Sequence, residues 1–397
     1  MGDALTQIYR PVPVVDLDIV PYAGVRWYAE GVYRRGDVVA STIKAKVLTR
    51  LLAGDIVYNR MWATKASFGV AGTEVDGCLV TNDFPIFAAD PNKASPVFIK
   101  LLFLNADFQK QAAERATGTT ERRRLKEADF LDLRVPLPPL PEQRRIVDLI
   151  GALDEAIEAA EQSSLAQSEA LDTLATSLIF NRDFTSTKVK DVASTRGLIG
   201  GPFGSSLVSA DYVADGVPII RGTNMPAKPR EYVGGPFAYV TPEKAESLRR
   251  NIAIAGDLVF TQRGTLGQVG LIPDGEYAAY VISQSQMRLR VREGVSARFV
   301  FHVFRTSRMT KYIQSRNSAT ANPHINLGIL ADVGFPLPNY EEQVAIVELL
   351  DTGLSANEAT DEYATSLRTL RSNLLTVLLS GEHEIPASYD ALLEVAA

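Results

Sequence analysis

Residues 136–150, PLPPLPEQRRIVDLI, return 200 positions later as PLPNYEEQVAIVELL over 336–350. Eight of the fifteen positions are identical, where composition alone gives roughly one. Such a duplication dictates architecture before any local signal does, because each copy has to bury its own core. A second match, AGDIVYNR (53–60) against AGDLVFTQR (255–263), carries the repeat back into the preceding residues. The 397-residue chain therefore reads as two copies of a globular block followed by a long helix. The expected fold class is α+β with a pseudo-twofold internal repeat. Globular blocks fall at 1–135 and 183–335, helices at 136–182 and 336–381, and a C-terminal tail at 382–397.

The helices follow from residue spacing. Proline-rich PLPPLP stops whatever precedes it, and Glu142 lies in the first helical turn, where a carboxylate complements the macrodipole. Ile146, Leu149, Ile150, Leu153 and Ile157 recur at helical spacing, and Leu171, Leu174 and Leu178 resume the same face; Ala160, Ser164 and Gln167 weaken the stripe between them. The second copy offers Ile346, Leu349, Leu350, Tyr363, Leu367, Leu370, Leu374 and Leu378, and ends at Gly381. Stripes this long have to meet another helix, and the order block–helix–block–helix favours an antiparallel coiled coil. Gly151 and Gly353 are positions where each helix can bend.

Charge follows the same division. The chain carries a net −6, which argues against a uniformly basic nucleic-acid binder. Yet residues 1–135 hold 18 basic and 16 acidic side chains and residues 187–335 hold 18 and 11, whereas 136–186 hold 3 and 9 and 336–397 hold 2 and 11. Basic blocks alternating with acidic helices imply different partners for each. No run of about 18 apolar residues and no basic start with an apolar block is present, so a soluble, cytoplasmic chain is expected, with no membrane partner. One cysteine, Cys78, and three scattered histidines, His302, His324 and His383, build neither a disulfide framework nor an ordinary zinc site.

Within the blocks, short apolar runs broken by glycine and proline read as strands and turns, as in VPIIRGTN (217–224) and GDLVFTQRG (256–264). One buried helix is expected at 97–108, after the N-cap Ser95 and Pro96, with a counterpart at 297–313 after Ser296. The stretch 286–292 alternates strictly, with Gln286, Arg288, Arg290 and Arg292 on one face. That face suits a phosphate-bearing partner, or is the solvated side of an antiparallel sheet. Arg122, Arg123 and Arg124 form a basic run beside Lys110 and Arg115. Catalytic signatures are missing. GGPFGSSL (200–207) lacks the lysine and Ser/Thr ending of a phosphate loop, and ANPHIN (321–326) lacks the second proline and the aromatic of an amino-methyltransferase motif. The chain reads as a recogniser without bound metal or cofactor.

The entry motifs PLPPLPEQ–IV–LI and PLP–EQ–IV–LL, each closing a globular block and opening a long helix, resemble the specificity subunits of type I restriction-modification systems. AGVRWYAEGVY (23–33), GDIVYNRMW (54–62) and TNDFPIF (81–87) support the likeness in the first block, and GVPIIRGTN (216–224), GDLVFTQRGTLGQVG (256–270) and PHINLGILADVGFPLP (323–338) in the second. The resemblance covers nearly the whole chain, although the first block lacks the start seen at KVKDVA (188–193). It implies two target-recognition domains, each reading half of a bipartite double-stranded DNA site. The paired helices would act as a ruler and dock two methyltransferase subunits, which in turn associate with restriction-translocase subunits. S-adenosylmethionine, ATP and magnesium would serve those partners, and this chain would be non-catalytic.

Candidate base readers are arginines, amides and an aromatic near strand ends: Arg26, Trp27, Asn59, Arg60 and Asn82 in the first block, Arg221, Asn224, Gln262, Arg263 and Gln284 in the second. Arginine pairs bidentately with guanine, and Asn or Gln with adenine. The rival expectation is a coiled-coil scaffold that binds protein partners without DNA; salt-dependent duplex binding separates the two.

Overall fold

The computed structural model describes residues 1–118, 123–225, 232–275, 277–317 and 323–391. It divides into two compact units, Met1–Ala160 with Glu362–Ala397, and Glu161–Asp361. The two long helices span Leu140–Phe180 and Tyr340–Ser380. Each unit thus holds one globular domain and one part of each helix. The second helix is started by Asn339, whose side chain accepts from the Glu342 amide at 2.9 Å, and it stops at Gly381, which adopts the left-handed φ of +76° that glycine tolerates.

The two domains share one topology. In the first, strands Leu5–Ile8, Ile86–Ala89, Ile56–Tyr58 and Phe68–Val70 form an antiparallel sheet in that order. In the second, Ala193–Gly200, Gln286–Val291, Leu258–Thr261 and Val269–Leu271 do the same. A second sheet in each domain contains one parallel pair: Ile19–Val25 beside Leu79–Val80, and Val217–Ile220 beside Tyr280–Ile282. Val32–Val39 and Ala238–Val240 flank these pairs on one side; Val47–Arg50 and Ile252–Ala253 flank them on the other. The first domain adds an edge strand, Pro11–Pro13. The second adds the pair Ser186–Lys188 and Gly334–Pro336; the first domain instead bonds Gly2 and Met1 directly to the carbonyls of Leu131 and Leu133.

Where one buried helix is expected in each domain, there are two. Pro96–Leu102 is followed by Ala106–Arg115, and Ala297–Arg305 by Ser307–Ser315. Asn105 and Thr306 cause the breaks, since the side chain of each accepts an amide of the next helix, from Phe108 and Met309.

The repeated motifs have structural explanations. The aspartate of each AGD sequence, Asp55 or Asp257, is buried and takes a two-pronged arginine pair, from Arg10 at 2.6 and 3.1 Å and from Arg290 at 2.7 and 2.7 Å. It also caps the turn before it through the amides of Leu52 and Ile254. The glutamine of each EQ sequence is buried at the entry to its long helix. Gln143 accepts from the Ser95 amide at 2.9 Å and donates to the carbonyls of Lys93 and Pro138; Gln343 accepts from Ser296 at 2.8 Å and donates to Pro338 at 2.9 Å. Both amides tie the start of the domain helix to the start of the long helix.

Within each unit the long helices pack antiparallel. In the first unit Ile146 and Ile150 share a core with Leu375, Leu378, Leu379 and the domain residues Phe98, Ile99 and Leu102, while Arg371 pairs with Asp154. In the second, Leu171 and Ala175 meet Ile346, Leu350 and Leu354 beside Phe299, Val300 and Phe304. A Cβ on Gly353 would lie 2.8 Å from the Leu171 side chain, so this glycine serves close approach. Ser164, expected to weaken the stripe, is buried: its hydroxyl donates to Asp361 at 2.6 Å and its carbonyl accepts from Asn357 at 2.7 Å. Leu174, Leu349, Tyr363 and Leu370, expected in the seam, are exposed. The buried face of the second helix repeats at i, i+4, i+8 through Ile346, Leu350 and Leu354, which turns Leu349 outward.

A charged seam holds the second domain on its helix. His302, fully buried, shares its Nε2 with Asp351 at 2.5 Å, and Arg298 bonds Asp351 at 2.5 Å and the Tyr232 hydroxyl at 2.9 Å. Burial pushes the imidazole below its ordinary 6.5, outweighing the carboxylate that pulls it up. The folded protein keeps His302 neutral at a pH where the unfolded chain already binds the proton, so stability falls as pH drops below about 6.5. Denaturant titrations at neutral and mildly acidic pH are expected to show this loss, and His302→Gln to flatten it. Gln343→Ala, which orphans the Ser296 amide and the Pro338 carbonyl, is expected to cost about 1–3 kcal/mol of unfolding stability. Glu342→Gln beside it stays within about 0.5 kcal/mol by the same measurement.

Candidate nucleic-acid interface

Topology gathers the first-block candidates. The loop after strand Ile19–Val25 holds Arg26 and Trp27, the turn after Ile56–Tyr58 holds Asn59 and Arg60, and the turn after Leu79–Val80 holds Asn82. Backbone bonds tie these loops together: Tyr28 to Lys65 at 2.8 Å, Ala29 to Ala66 at 2.7 Å, Arg60 to Asp83 at 2.9 Å, and Leu125 to Arg60 at 3.1 Å. The Asn59 side chain caps the turn by accepting from Met61 at 3.0 Å. Arg26 is exposed, its guanidinium 5.0 Å above the Tyr33 ring. Arg60 pairs with Glu127, and the exposed Arg124 with Asp83 at 3.2 Å. Arg123 is spent on the Ala116 carbonyl at 2.9 Å, closing the end of its helix. Arg122 lies outside the described residues.

The corresponding edge of the second domain is built from the same places in the chain. Arg221 follows strand Val217–Ile220, Gln262 and Arg263 follow Leu258–Thr261, and Gln284 follows Tyr280–Ile282. Ser283 bonds back to Ile220 at 3.0 Å, Gln262 to Ser285 at 2.7 Å, and Ile325 to Gln262 at 3.0 Å, the last matching Leu125 on Arg60. Arg263 is exposed beside His324, with which its backbone forms a bridge. Arg221 is half-buried with its guanidinium 6.0 Å over Tyr212, and its buried Nε has no hydrogen-bond partner among the described residues. The glycine-rich stretch 200–207 borders this edge. The Gly201 amide donates to the Gln286 carbonyl at 2.9 Å, and Gln284 holds the loop by donating to the carbonyls of Gly204 and Leu207 at 2.8 and 2.9 Å. A Cβ on Gly201 would sit 2.0 Å from the Ser283 oxygen, which accounts for that glycine. Phe203 stands out of the loop with 88% of its surface exposed.

Three expectations are corrected. The alternating strand offers no free cationic face: Gln286 is fully buried, and Arg288, at 6% exposure, spends its guanidinium on the carbonyls of Ile252 and Arg196 at 2.5 and 2.8 Å. Desolvation lowers its pKa, as expected for a cation enclosed by backbone. Arg290 is committed to Asp257. Asn224 is buried at 1% exposure; its side chain accepts from the Arg221 amide and donates to the carbonyls of Gly234 and Pro236, so it shapes the loop. Sequence reasoning also passed over Trp62 and Phe203, whose type signals a core position and whose exposure is a property of the folded loops.

Comparison with known proteins gives the family. The sequence matches the type I restriction modification DNA specificity domain twice, over residues 39–167 and 215–362, more than half of the chain. The chain belongs to this family. Specificity subunits are the non-catalytic members of type I systems. The chain is 19% identical over 270 residues to the type I restriction enzyme MjaVIII specificity subunit of Methanocaldococcus jannaschii, covering 64% of this chain and 63% of that one. It is 23% identical over 363 residues to the putative MjaX specificity subunit of the same organism, covering 84% and 79%. The fold is that of a solved HsdS subunit from Thermoanaerobacter tengcongensis, with a TM-score of 0.53 at 18% identity over 96% of both chains. It is also that of a chain from a structure addressing complex assembly and conformational transition of the type I R-M system, with a TM-score of 0.66 at 17% identity over 96% and 97%. Among the described residues of this chain, no helix is long and apolar enough to cross a membrane.

Proposed function

We propose that the chain is the DNA-recognition subunit of a type I restriction-modification complex, each domain reading one half of a bipartite duplex site. The observation that carries this reading is the recurrence of one edge, at the same place in two copies of one topology, furnished with exposed arginines and with amides beside them. Phosphate neutralisation by such cations supplies general affinity, and base edges supply sequence. Arg26, Asn82, Arg124 and Arg263 are the exposed polar candidates; Arg60, Arg221, Gln262 and Gln284 are half-buried, with Arg60 paired to Glu127 and Gln284 holding its loop through the Gly204 and Leu207 carbonyls.

The helices are assigned two tasks. Their length sets the gap between the half-sites, and their exposed apolar residues dock the two methyltransferase subunits. Leu165, Leu174 and Leu349 in the second unit, and Tyr363, Leu370 and Val377 in the first, are exposed on helices whose other faces are already packed. Restriction-translocase subunits join through that complex. S-adenosylmethionine, ATP and magnesium serve the partners, and the assembly works in the cytoplasm, where its DNA is.

Binding of the full chain, with its co-purifying subunits, to duplex DNA is expected to weaken linearly in log Kd against log salt. Absence of salt-dependent duplex binding would leave only the scaffold reading, which predicts no DNA binding at all. Arg263→Ala is expected to cost about 1–3 kcal/mol on the site found by methylation mapping if Arg263 reads a base, and to lower affinity evenly on all sequences if it holds phosphate. Removing a matched heptad from each long helix shortens it by roughly 10 Å, or about three base pairs of duplex. The methylated gap is expected to shorten accordingly, and an unchanged gap refutes the ruler.

A further inference from the structure

Trp27 and Trp62 are the only two tryptophans of the chain. Both lie on the edge of the first domain, 44% and 38% exposed, with ring centroids 5.2 Å apart. Tyr28, more exposed still, stands edge-on to Trp27 at 6.5 Å. A lone exposed apolar side chain is ordinary, but three adjoining aromatic rings left in water cost the fold burial it could have used.

The backbone beneath them is strained. Four non-glycine residues among those described have a left-handed φ, and three of them are here: Tyr28 at 57°, Ala29 at 55° and Ala66 at 51°. The amides of Tyr28 and Ala29 donate to the carbonyls of Lys65 and Ala66, so the strain fastens one tryptophan-bearing loop to the other. Strain of this kind persists where the surrounding structure imposes it, and it clusters at ligand-binding sites. The two loops, 26–31 and 59–67, carry Arg26, Arg60 and Lys65 against a single acid, Glu30. Among the described residues, no acid pairs with Arg26 or Lys65. Arg60 is paired with Glu127, so the two loops join an exposed aromatic pair to two cations without an acid partner, Arg26 and Lys65, which suits a polyanion that also offers flat apolar surfaces.

We propose that Trp27 and Trp62 form a preassembled aromatic platform that contacts bases directly, by entering a base step of the duplex or lying on an unstacked base. This rests on the DNA-recognition reading above and adds the mode of contact and Trp62. Specificity at this half-site then comes from how readily a step opens as well as from hydrogen bonds, because flexible pyrimidine–purine steps yield to an apolar wedge most easily. The second domain offers a parallel in Phe203, which Gln284 holds out from the corresponding edge.

Because the tryptophans are two, the chain reports on the platform without mutation. It is labelled with fluorotryptophan, assembled with its unlabelled co-purifying subunits, and titrated with the duplex site found by methylation mapping. Both fluorine resonances are expected to move with the DNA, and 2-aminopurine placed in the contacted half-site to brighten as it unstacks. Trp27→Ala and Trp62→Ala are expected to lose roughly ten- to a hundredfold of affinity for that site, with the salt slope unchanged and Trp→Phe restoring most of it. Resonances that stay put while anisotropy shows the duplex bound overturn the platform and leave the DNA reading intact. Resonances that move when subunits are added before DNA, and not again with it, make the patch a protein contact and likewise overturn the proposal. Failure of the unlabelled complex to bind duplex at all removes the DNA reading itself.

Discussion

A single buried side-chain amide at the mouth of each long helix is the constraint on which the rest hangs. Gln143 and Gln343 satisfy an otherwise orphaned backbone donor at the start of a domain helix and a carbonyl in the proline turn that begins the long helix. Neither group can find water where the glutamine is fully enclosed, so either would cost more unpaired than the bond contributes when made. The domain and helix of each repeat are therefore set at one angle rather than a range. Anything fixed relative to the domain sheets, including the loops at their far ends, is fixed relative to that helix.

What was legible in the sequence was whatever repeats or punctuates. The PLP–EQ echo marks both helix entries, and AGD marks two equivalent turns whose aspartates prove to be buried arginine partners. Apolar spacing located both helices, but it placed Leu349 and Leu370 in the seam and left Ser164 out. A helix that packs on a domain and on another helix has a wide apolar arc, and periodicity alone cannot say which leucines lie at its margin. The alternating strand at 286–291 misled for a related reason. Alternation distinguishes two faces without saying that one is wet, and here backbone carbonyls of neighbouring segments take the place of water around Arg288. The candidate site was legible as a set of strand ends. Trp27 was read among those strand ends, but Trp62 and Phe203 were hidden, since nothing in one sequence distinguishes an aromatic that fills a core from one that a strained turn pushes outward.

The division between frame and edge explains how one fold can serve many sequences. Residues that recur between the repeats, Asp55 with Asp257 and Gln143 with Gln343, are enclosed and bonded to backbone or to an arginine. Residues at the two edges do not recur: Arg26 and a tryptophan pair on one, Arg263, a raised phenylalanine and His324 on the other. Side chains free to change without a folding penalty are those that face solvent, so the two edges, where DNA reading is proposed, can differ while the frame does not.

Length can be converted into a measured distance only if the paired helices cannot slide. An apolar seam tolerates slippage, because one leucine replaces another at the cost of some packing. The lock of Asn357, Ser164 and Asp361 does not, since displacement by one turn takes the buried Asn357 amide and Ser164 hydroxyl away from each other, at about 1–3 kcal/mol for each group left unsatisfied. A polar contact of this kind stabilises less than leucines in its place would, and its return is a single register. The cost is repaid if the separation of the half-sites is to be read to a base pair, since a ruler whose halves slip by one helical turn errs by about 5 Å, more than one base step.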